Sequence, residues 1–371
     1  MPAEPKHILA IDPGSTSTKF ALYADERALF ERTLRHSEET MTRFKGKPVL
    51  KQCDFRREAI REELQRAGFE SCGLAAVVGR GGLLKPLASG TYRVTQRMLD
   101  DLCVAERGEH ASNLGAFLAK QLADAANAPA FVVDPVAVDE WPERARLSGL
   151  AELPRQCLSH ALNTKAVAKR FAHEQGRRYE DLRLIVAHLG SGVSVSAHEN
   201  GRMVDVNDSR EEGPFSTERA GSVPAMMLVE LCFSGKYTRR EIENRLFREG
   251  GLYSYVGTKD LVEIEKRVAE GDVKAALVWD AMIYQIAKEI GAMATVLQGL
   301  VNAILVTGGM SHSERLVKNL RTSVEWIAPI HVYAGENELQ ALAEGALRVL
   351  RGEEIAREYE PGVNASEACP T

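Results

Sequence analysis

The chain has 371 residues, 44% hydrophobic and 27% charged, with 47 Lys and Arg against 52 Asp and Glu, a formal net charge of −5. At roughly 100–200 residues per domain, this length accommodates two or three domains, or two lobes around a cleft, each with its own core, and excludes general disorder. A mildly acidic balance without a basic block argues against sequence-independent nucleic-acid binding, which needs a Lys/Arg stripe along phosphates; small anionic ligands stay open, because local donors outweigh net charge for them.

The first element is a strand, His7 to Ile11, followed by the polar turn DPGSTST and a second strand, KFALYA, whose residues alternate between two faces. The turn is short enough for a hairpin, and Ala28 to Leu34 completes three antiparallel strands. Far downstream the same grammar returns: Leu182 to His188, a turn LGSG, the strand VSVSAH, a turn at Glu199-Asn200-Gly201, and RMVDVND. Two such units suggest a duplicated α/β architecture, each half a mixed sheet flanked by helices, the two facing across a cleft; the pattern alone is equally compatible with coincidence.

The longest helical signal is Ala275 to Leu297, where Val278, Met282, Ile286, Ile290, Met293 and Leu297 recur every three or four residues and should pack on a sheet. It runs into a buried strand, Ala303 to Thr307, ending at Gly308-Gly309, and then a Ser-rich helix start. A strand in IAPIHVY precedes Gly335-Glu336-Asn337-Glu338, where an N-cap and early acids begin a last helix through Leu350, stopped at Gly352. The lobes are expected at 1–158, completed by helix 336–351, and at 159–335, with a flexible tail over 352–371.

The six cysteines, Cys53, Cys72, Cys103, Cys157, Cys232 and Cys369, form no C-x-x-C pair, so neither a zinc knuckle nor a disulfide framework is indicated and reduced thiols in a cytoplasm fit. The opening MPAEPKHILAIDPG has no charged-then-apolar leader, and no window approaches the roughly 20 apolar residues that span a bilayer. A cytoplasmic protein without a membrane partner is expected. Asn364-Ala365-Ser366 has the form of a glycosylation acceptor and is read as chance.

Three turns offer donors at strand ends. Gly14-Ser15-Thr16-Ser17-Thr18-Lys19 brings four hydroxyls and a lysine together, a set that can surround a phosphate. It is not a Walker A loop, because G-x-x-x-x-G-K-[ST] is absent and the turn enters a strand. Gly190-Ser191-Gly192 after His188, and Thr307-Gly308-Gly309, offer backbone donors. Each turn taken singly is equally a plain tight turn; together they fit a nucleotide, with the first two near its phosphates and the third near sugar and base. Arg80 and Arg219, beside glycines in loops, can clamp a carboxylate and a transferring phosphoryl group bidentately, or pair a surface acid. His160 can hydrogen-bond a phosphoryl oxygen or serve a helix start. Asp134 and Glu338, near predicted strand ends, can hold Mg²⁺ or its waters.

The runs IDPGSTSTK, VVGRGGLL, GEHASNLGAF, VVDPVAVDE, HALN-x-KAVAKR, VAHLGSG, DVND, EGPFS-x-ERAG, LCFSGKYT, YQIAKEIGAMA and VTGG strongly resemble the butyrate kinases, in the acetate kinase group of the actin, heat-shock chaperone and sugar kinase superfamily; the resemblance extends from about Ile8 to Gly352. It implies two lobes of one duplicated actin-like ATPase fold, with ATP or ADP, Mg²⁺ and a short-chain carboxylate between them, and the reaction butanoate + ATP ⇌ butanoyl phosphate + ADP. By similarity, Asp12, Gly14, Ser15, Ser17 and Lys19 belong to the first phosphate loop, His188, Gly190, Ser191 and Gly192 to the second, and Gly308-Gly309 to the adenosine segment. His160 and Arg219 match residues around the transferring phosphoryl group, and Asp134 and Glu338 match carboxylates associated with metal. Arg80 is equivalent by loop and not by position, because the acetate kinase arginine precedes its Val-Val pair and here it follows. The resemblance also implies a homodimer or larger assembly.

Two departures stand out. Asp12-Pro13-Gly14 replaces the usual Asn-Pro-Gly, so Asp12 is protonated, recruits the metal or weakens nucleotide binding; and Ser191 stands where relatives commonly carry glycine. A carboxylate is ionised at pH 7 and needs no general base, so positioning and charge neutralisation by Arg219, His160, Lys19 and Mg²⁺ suffice for direct in-line transfer. The alternatives are a kinase for isobutanoate, propanoate or another short acid, since a methylene changes binding by only about 1–3 kcal/mol, and a nucleotide-dependent regulatory or chaperone-like protein.

Overall fold

The structure is a computed structural model that describes residues 4–69 and 73–360; Cys72, Cys369 and the Asn364-Ala365-Ser366 sequence lie outside the described residues. Contacts divide the chain into two compact units, residues 1–139 with 337–371, and residues 140–336.

In the first unit, β1 (His7–Pro13), β2 (Ser17–Ala24) and β3 (Arg27–Arg35) form an antiparallel meander. Every residue of β1 from Ile8 onward is buried, as in a central strand covered on both faces, whereas β3 is charged and exposed, as suits an edge. Then come α1 (Glu38–Thr42), α2 (Cys53–Arg66), β4 (Leu74–Arg80), β5 (Thr91–Arg93), α3 (Gln96–Val104), α4 (Asn113–Ala125) and β6 (Ala130–Val133). The sheet order is β3-β2-β1-β4-β6-β5, with β1, β4 and β6 parallel and β5 antiparallel to β6. Helix α4 lies hard against β4: a Cβ on Gly79 would stand 2.1 Å from the Gly115 carbonyl oxygen, and one on Gly115 would stand 2.1 Å from that of Arg80. Only glycine at both positions permits this approach.

The second unit opens with α5 (Glu143–Arg146) and α6 (Ala161–Glu174), then the meander β7 (Leu184–Leu189), β8 (Val193–Glu199), β9 (Arg202–Val206). Five helices follow, α7 (Ala225–Phe233), α8 (Arg239–Phe247), α9 (Gly251–Val256), α10 (Leu261–Ala269) and α11 (Val273–Val296), then β10 (Ala303–Gly308), α12 (Glu314–Val324) and β11 (Ile330–Ala334). The sheet order is β11-β10-β7-β8-β9, with β7, β10 and β11 parallel. Alternate residues of β7 face opposite layers: Leu184 and Val186 join Val167, Ala168 and Phe171 of α6, while Ile185 and Ala187 join Trp279, Met282, Ile286 and Ile290 of α11. The chain returns to the first unit as α13 (Glu338–Arg351), which ends at Gly352 with φ +75°. Asn337 occupies the expected N-cap position, but in left-handed backbone and without a side-chain cap.

The contacts place the first unit boundary after Asp139, earlier than the expected 158, because residues 140–158 are tied to the second unit. The Glu140 carboxylate accepts from the fully buried Lys165 ammonium and from the Met203 N–H at 2.8 Å, and Arg155 is held by Glu212 and the Val206 carbonyl. Within the expected tail, Arg357 exchanges backbone hydrogen bonds with Thr91 and Arg93, and Tyr359 is buried with its hydroxyl donating to Asp101 at 2.8 Å. Among the described residues, no helix is long and apolar enough to cross a membrane.

Candidate active site

The β1–β2 turn is built over a buried arginine. Arg56 of α2 is wholly inaccessible, and its guanidinium donates to the carbonyls of Gly14 (2.8 Å), Ser17 (2.8 Å) and Ser15 (3.3 Å), to Thr18 Oγ1 (3.0 Å) and to Gln52 Oε1 (2.7 Å). Drawing the carbonyls inward leaves the turn's outer side to Ser15 and Thr16, both exposed, above a positive charge. The Gly14 N–H is engaged by the Ser17 carbonyl and closes the turn. Lys19 stands opposite Asp12 in the β1–β2 register.

Asp12, Arg80 and Glu338 form one cluster: Arg80 Nη1 lies 3.2 Å from Asp12 Oδ1 and 2.7 Å from Glu338 Oε1. Both carboxylates are buried. Burial pushes the Asp12 carboxyl up, but the facing Arg80 guanidinium, with the charge of Lys19, outweighs it and holds Asp12 below the usual carboxylate range. A protonated Asp12 at neutral pH is therefore corrected: the acid is ionised because an arginine faces it. Arg80 is the last residue of β4, not a loop residue.

Asp134, just after β6 with φ +37°, accepts from Ser89 Oγ (2.6 Å) and the Gly90 N–H (2.8 Å), so its Oδ1 is committed to that loop. Among the described residues no group of three or more His, Cys, Asp or Glu is gathered as a metal cage. The two carboxylates at Arg80 are hard oxygen donors in a buried place, which fits Mg²⁺, an ion commonly held by one or two carboxylates plus water and phosphate oxygens.

In the second unit, the imidazoles of His160, at the N-cap of α6, and His188, at the end of β7, stack at 3.9 Å with 9° between their planes. His160 Nδ1 is 2.9 Å from Ser194 Oγ. Arg219 packs on the β7–β8 turn so closely that a Cβ on Gly192 would stand 2.5 Å from its Nη1; the same nitrogen donates to Ser209 Oγ (3.1 Å) and the Ser209 carbonyl (3.2 Å). Burial lowers the Arg219 pKa, yet a guanidinium stays charged at neutral pH. Ser216 joins loop to turn: its hydroxyl donates to the Ser191 carbonyl and accepts from the Arg219 N–H. The Gly190 N–H closes on the Gly192 carbonyl, leaving Ser191, exposed at the tip, as the outward group. The third turn differs again, because the Gly308 N–H and carbonyl pair with Gly335; Gly309 is exposed beyond them.

The sequence reading missed Arg56, Asn163, Ser194, Ser209, Ser216 and Glu336. Ser216 and Asn163 stand inside the quoted strings EGPFS-x-ERAG and HALN, a usable signal. Arg56 lies in an ordinary-looking charged helix, CDFRREAIREELQR, and nothing local marks it as buried.

The Acetokinase family model matches residues 154–341. The chain is 51% identical to butyrate kinase 1 of Clostridium acetobutylicum over 95% of this chain and 99% of that protein. Among solved structures it is similar to the acetate kinase of Porphyromonas gingivalis (TM-score 0.76, 18% identity, 92% of this chain and 99% of that one) and to a propionate kinase of Francisella tularensis (TM-score 0.73, 19% identity, 91% and 98%). At those identities the structural likeness speaks to fold alone: a mixed α/β architecture repeated in two units. The full-length likeness at 51% identity settles the family, and the chain belongs to the acetokinase family.

Proposed function

We propose that this protein is an ATP-dependent carboxylate kinase whose substrate is butanoate, forming butanoyl phosphate and ADP reversibly. The observation that carries the reading is the likeness to a butyrate kinase along 95% of the chain. The donor groups support it: Arg219 against the Gly190–Gly192 turn, the stacked His160 and His188, and a hydroxyl-rich first turn backed by Arg56.

A carboxylate oxygen forms the new bond to the γ-phosphorus while the bond to the ADP oxygen breaks, and the electron pair leaves with ADP. No proton has to move, so the protein's task is to bring two anions together in line and offset their repulsion. Arg219 and His160 are assigned to the transferring phosphoryl oxygens; Ser15, Ser17, Lys19, Ser191 and His188 to the nucleotide phosphates; Gly308-Gly309 to the adenosine end. Bound Mg²⁺ would neutralise phosphate charge, with Glu338 and Asp12 as its carboxylates and Asp134 as a further candidate. Arg80 serves as their internal counter-ion and is the candidate clamp for the substrate carboxylate.

We assign the protein to the cytoplasm and to a homodimer or larger homo-oligomer. Helix α7 supports the assembly, since no residue of it is buried and Met226, Met227 and Phe233 are exposed; apolar surface of this kind marks an interface. The test of function is hydroxylamine trapping with Mg·ATP and straight and branched acids of two to five carbons. Hydroxamate formation highest with butanoate and abolished in Arg219→Ala is the expected result; a maximum at isobutanoate or propanoate replaces the substrate, and no hydroxamate with any acid overturns the reading.

A further inference from the structure

Two hydrogen bonds in the second unit decide which nitrogen of His188 carries its proton. Asn163 Nδ2 lies 2.8 Å from the Glu336 backbone carbonyl, and Asn163 Oδ1 lies 2.8 Å from His188 Nδ1. A carbonyl only accepts, so the amide nitrogen must be the atom facing Glu336, which turns the amide oxygen to the ring. An amide oxygen also only accepts, so His188 Nδ1 bears hydrogen. Nε2 then holds the lone pair of the neutral ring, and it points elsewhere: 3.7 Å from the Glu336 carboxylate, and 3.1 Å from where a Cβ on Gly190 would stand.

We propose that Asn163 is a positioning residue of the phosphoryl-transfer reaction. It holds His188 as the Nδ1–H tautomer and so aims Nε2 at the second turn, a role that rests on the assignment of that turn to nucleotide phosphate. Glu336 contributes twice, its backbone carbonyl fixing the amide and its carboxylate facing Nε2. Nε2 is thereby left as the ring atom on the side of the turn, with the Glu336 carboxylate 3.7 Å away. The opposite tautomer would leave Nδ1 and Oδ1, two acceptors, facing each other. Among the described residues, the charged and titratable groups beside this nitrogen include the Glu336 carboxylate and the stacked His160, with the Arg219 guanidinium against Gly192 of the same turn. Each ring nitrogen is thus set by what the other one bonds, the general way a protein selects a histidine tautomer.

The test is ¹⁵N NMR of the full-length protein labelled at histidine, with the His188 signals assigned by loss in His188→Gln and read at a pH where the ring is neutral. Wild type should show Nδ1 protonated and Nε2 bare. Asn163→Asp keeps an acceptor for Nδ1 and should keep the tautomer, whereas Asn163→Leu should lose it, with kcat at saturating ATP falling at least tenfold and more than in Asn163→Asp. An Nε2–H ring in wild type overturns the proposal, as does an Asn163→Leu protein with unaltered tautomer or kcat. If no acid is phosphorylated by wild type, the functional reading falls while the tautomer result still stands, so the two failures are distinguishable.

Discussion

The two units repeat one sheet order and diverge at the same turn. In each, an antiparallel meander is extended by two parallel strands beside its first strand, β3-β2-β1-β4-β6 in one and β9-β8-β7-β10-β11 in the other; the first adds β5 at its edge. The β1–β2 turn is rich in hydroxyls and is organised from below by a buried guanidinium that gathers its carbonyls. The β7–β8 turn is two glycines around a serine, organised from the side by Ser216 and pressed by Arg219. One architecture therefore presents an equivalent turn twice, and the side chains that reach each turn set what surrounds it.

The sharpest way to break this comparison is Arg219→Ala. Removing the guanidinium proposed to face the transferring group should lower kcat by about 10²–10³; retained activity would move the catalytic burden to the first turn. Next, Gly192→Ala and Gly14→Ala set the turns against each other. The Cβ at Gly192 collides with the movable end of Arg219, whereas at Gly14 it meets Ser17 Oγ at 3.2 Å. Gly192→Ala should reduce kcat by about tenfold or more through a misplaced guanidinium and Gly14→Ala far less; equal losses would show that the turns tolerate substitution alike.

Arg56→Met probes the other support. It strips a hydrogen-bond donor from several buried acceptors, which should cost about 2–4 kcal/mol in urea unfolding and raise the KM for ATP; an unchanged KM would separate the buried cation from nucleotide binding.

Acid sharpens the contrast between the units further. His36, against Thr18 beneath the first turn, is pulled down to about 4 by burial and by Arg56. Its neutral form is the one the fold favours, so its contribution is complete above the unfolded pKa near 6.5 and is lost as pH falls from there towards 4. Asp208 in the second unit is pushed up to about 6, chiefly by burial; it opposes folding progressively as pH rises from about 4 to 6. Asp208→Asn, which retains the acceptor for the Arg210 N–H (2.8 Å), should therefore raise the thermal midpoint at pH 7 and change little at pH 4. A midpoint unaltered at pH 7 would show that this carboxylate is not disfavoured.

What the sequence itself determined is local. Alternation of apolar residues marked both meanders, a three-to-four repeat marked α11, and glycines and hydroxyls marked the turns, because burial on one face imposes a period on the chain that needs no distant partner to be read. The strings around the site pointed to the family for the same reason: Gly79 and Gly115 are demanded by a backbone contact, and Ser216 by a loop closure. The tertiary structure alone decided the pairings. Arg56 reaches Gly14 from 42 positions away, Arg80 meets Asp12 from 68, and Tyr359 reaches Asp101 from 258. An isolated arginine reads as a solvated charge until the fold surrounds it with carbonyls or acids. The ionised state of Asp12, the ordered return of residues 353–360 along β5 and the tautomer of His188 all follow from such distant partners, and local pattern carries no record of which partner a side chain will meet.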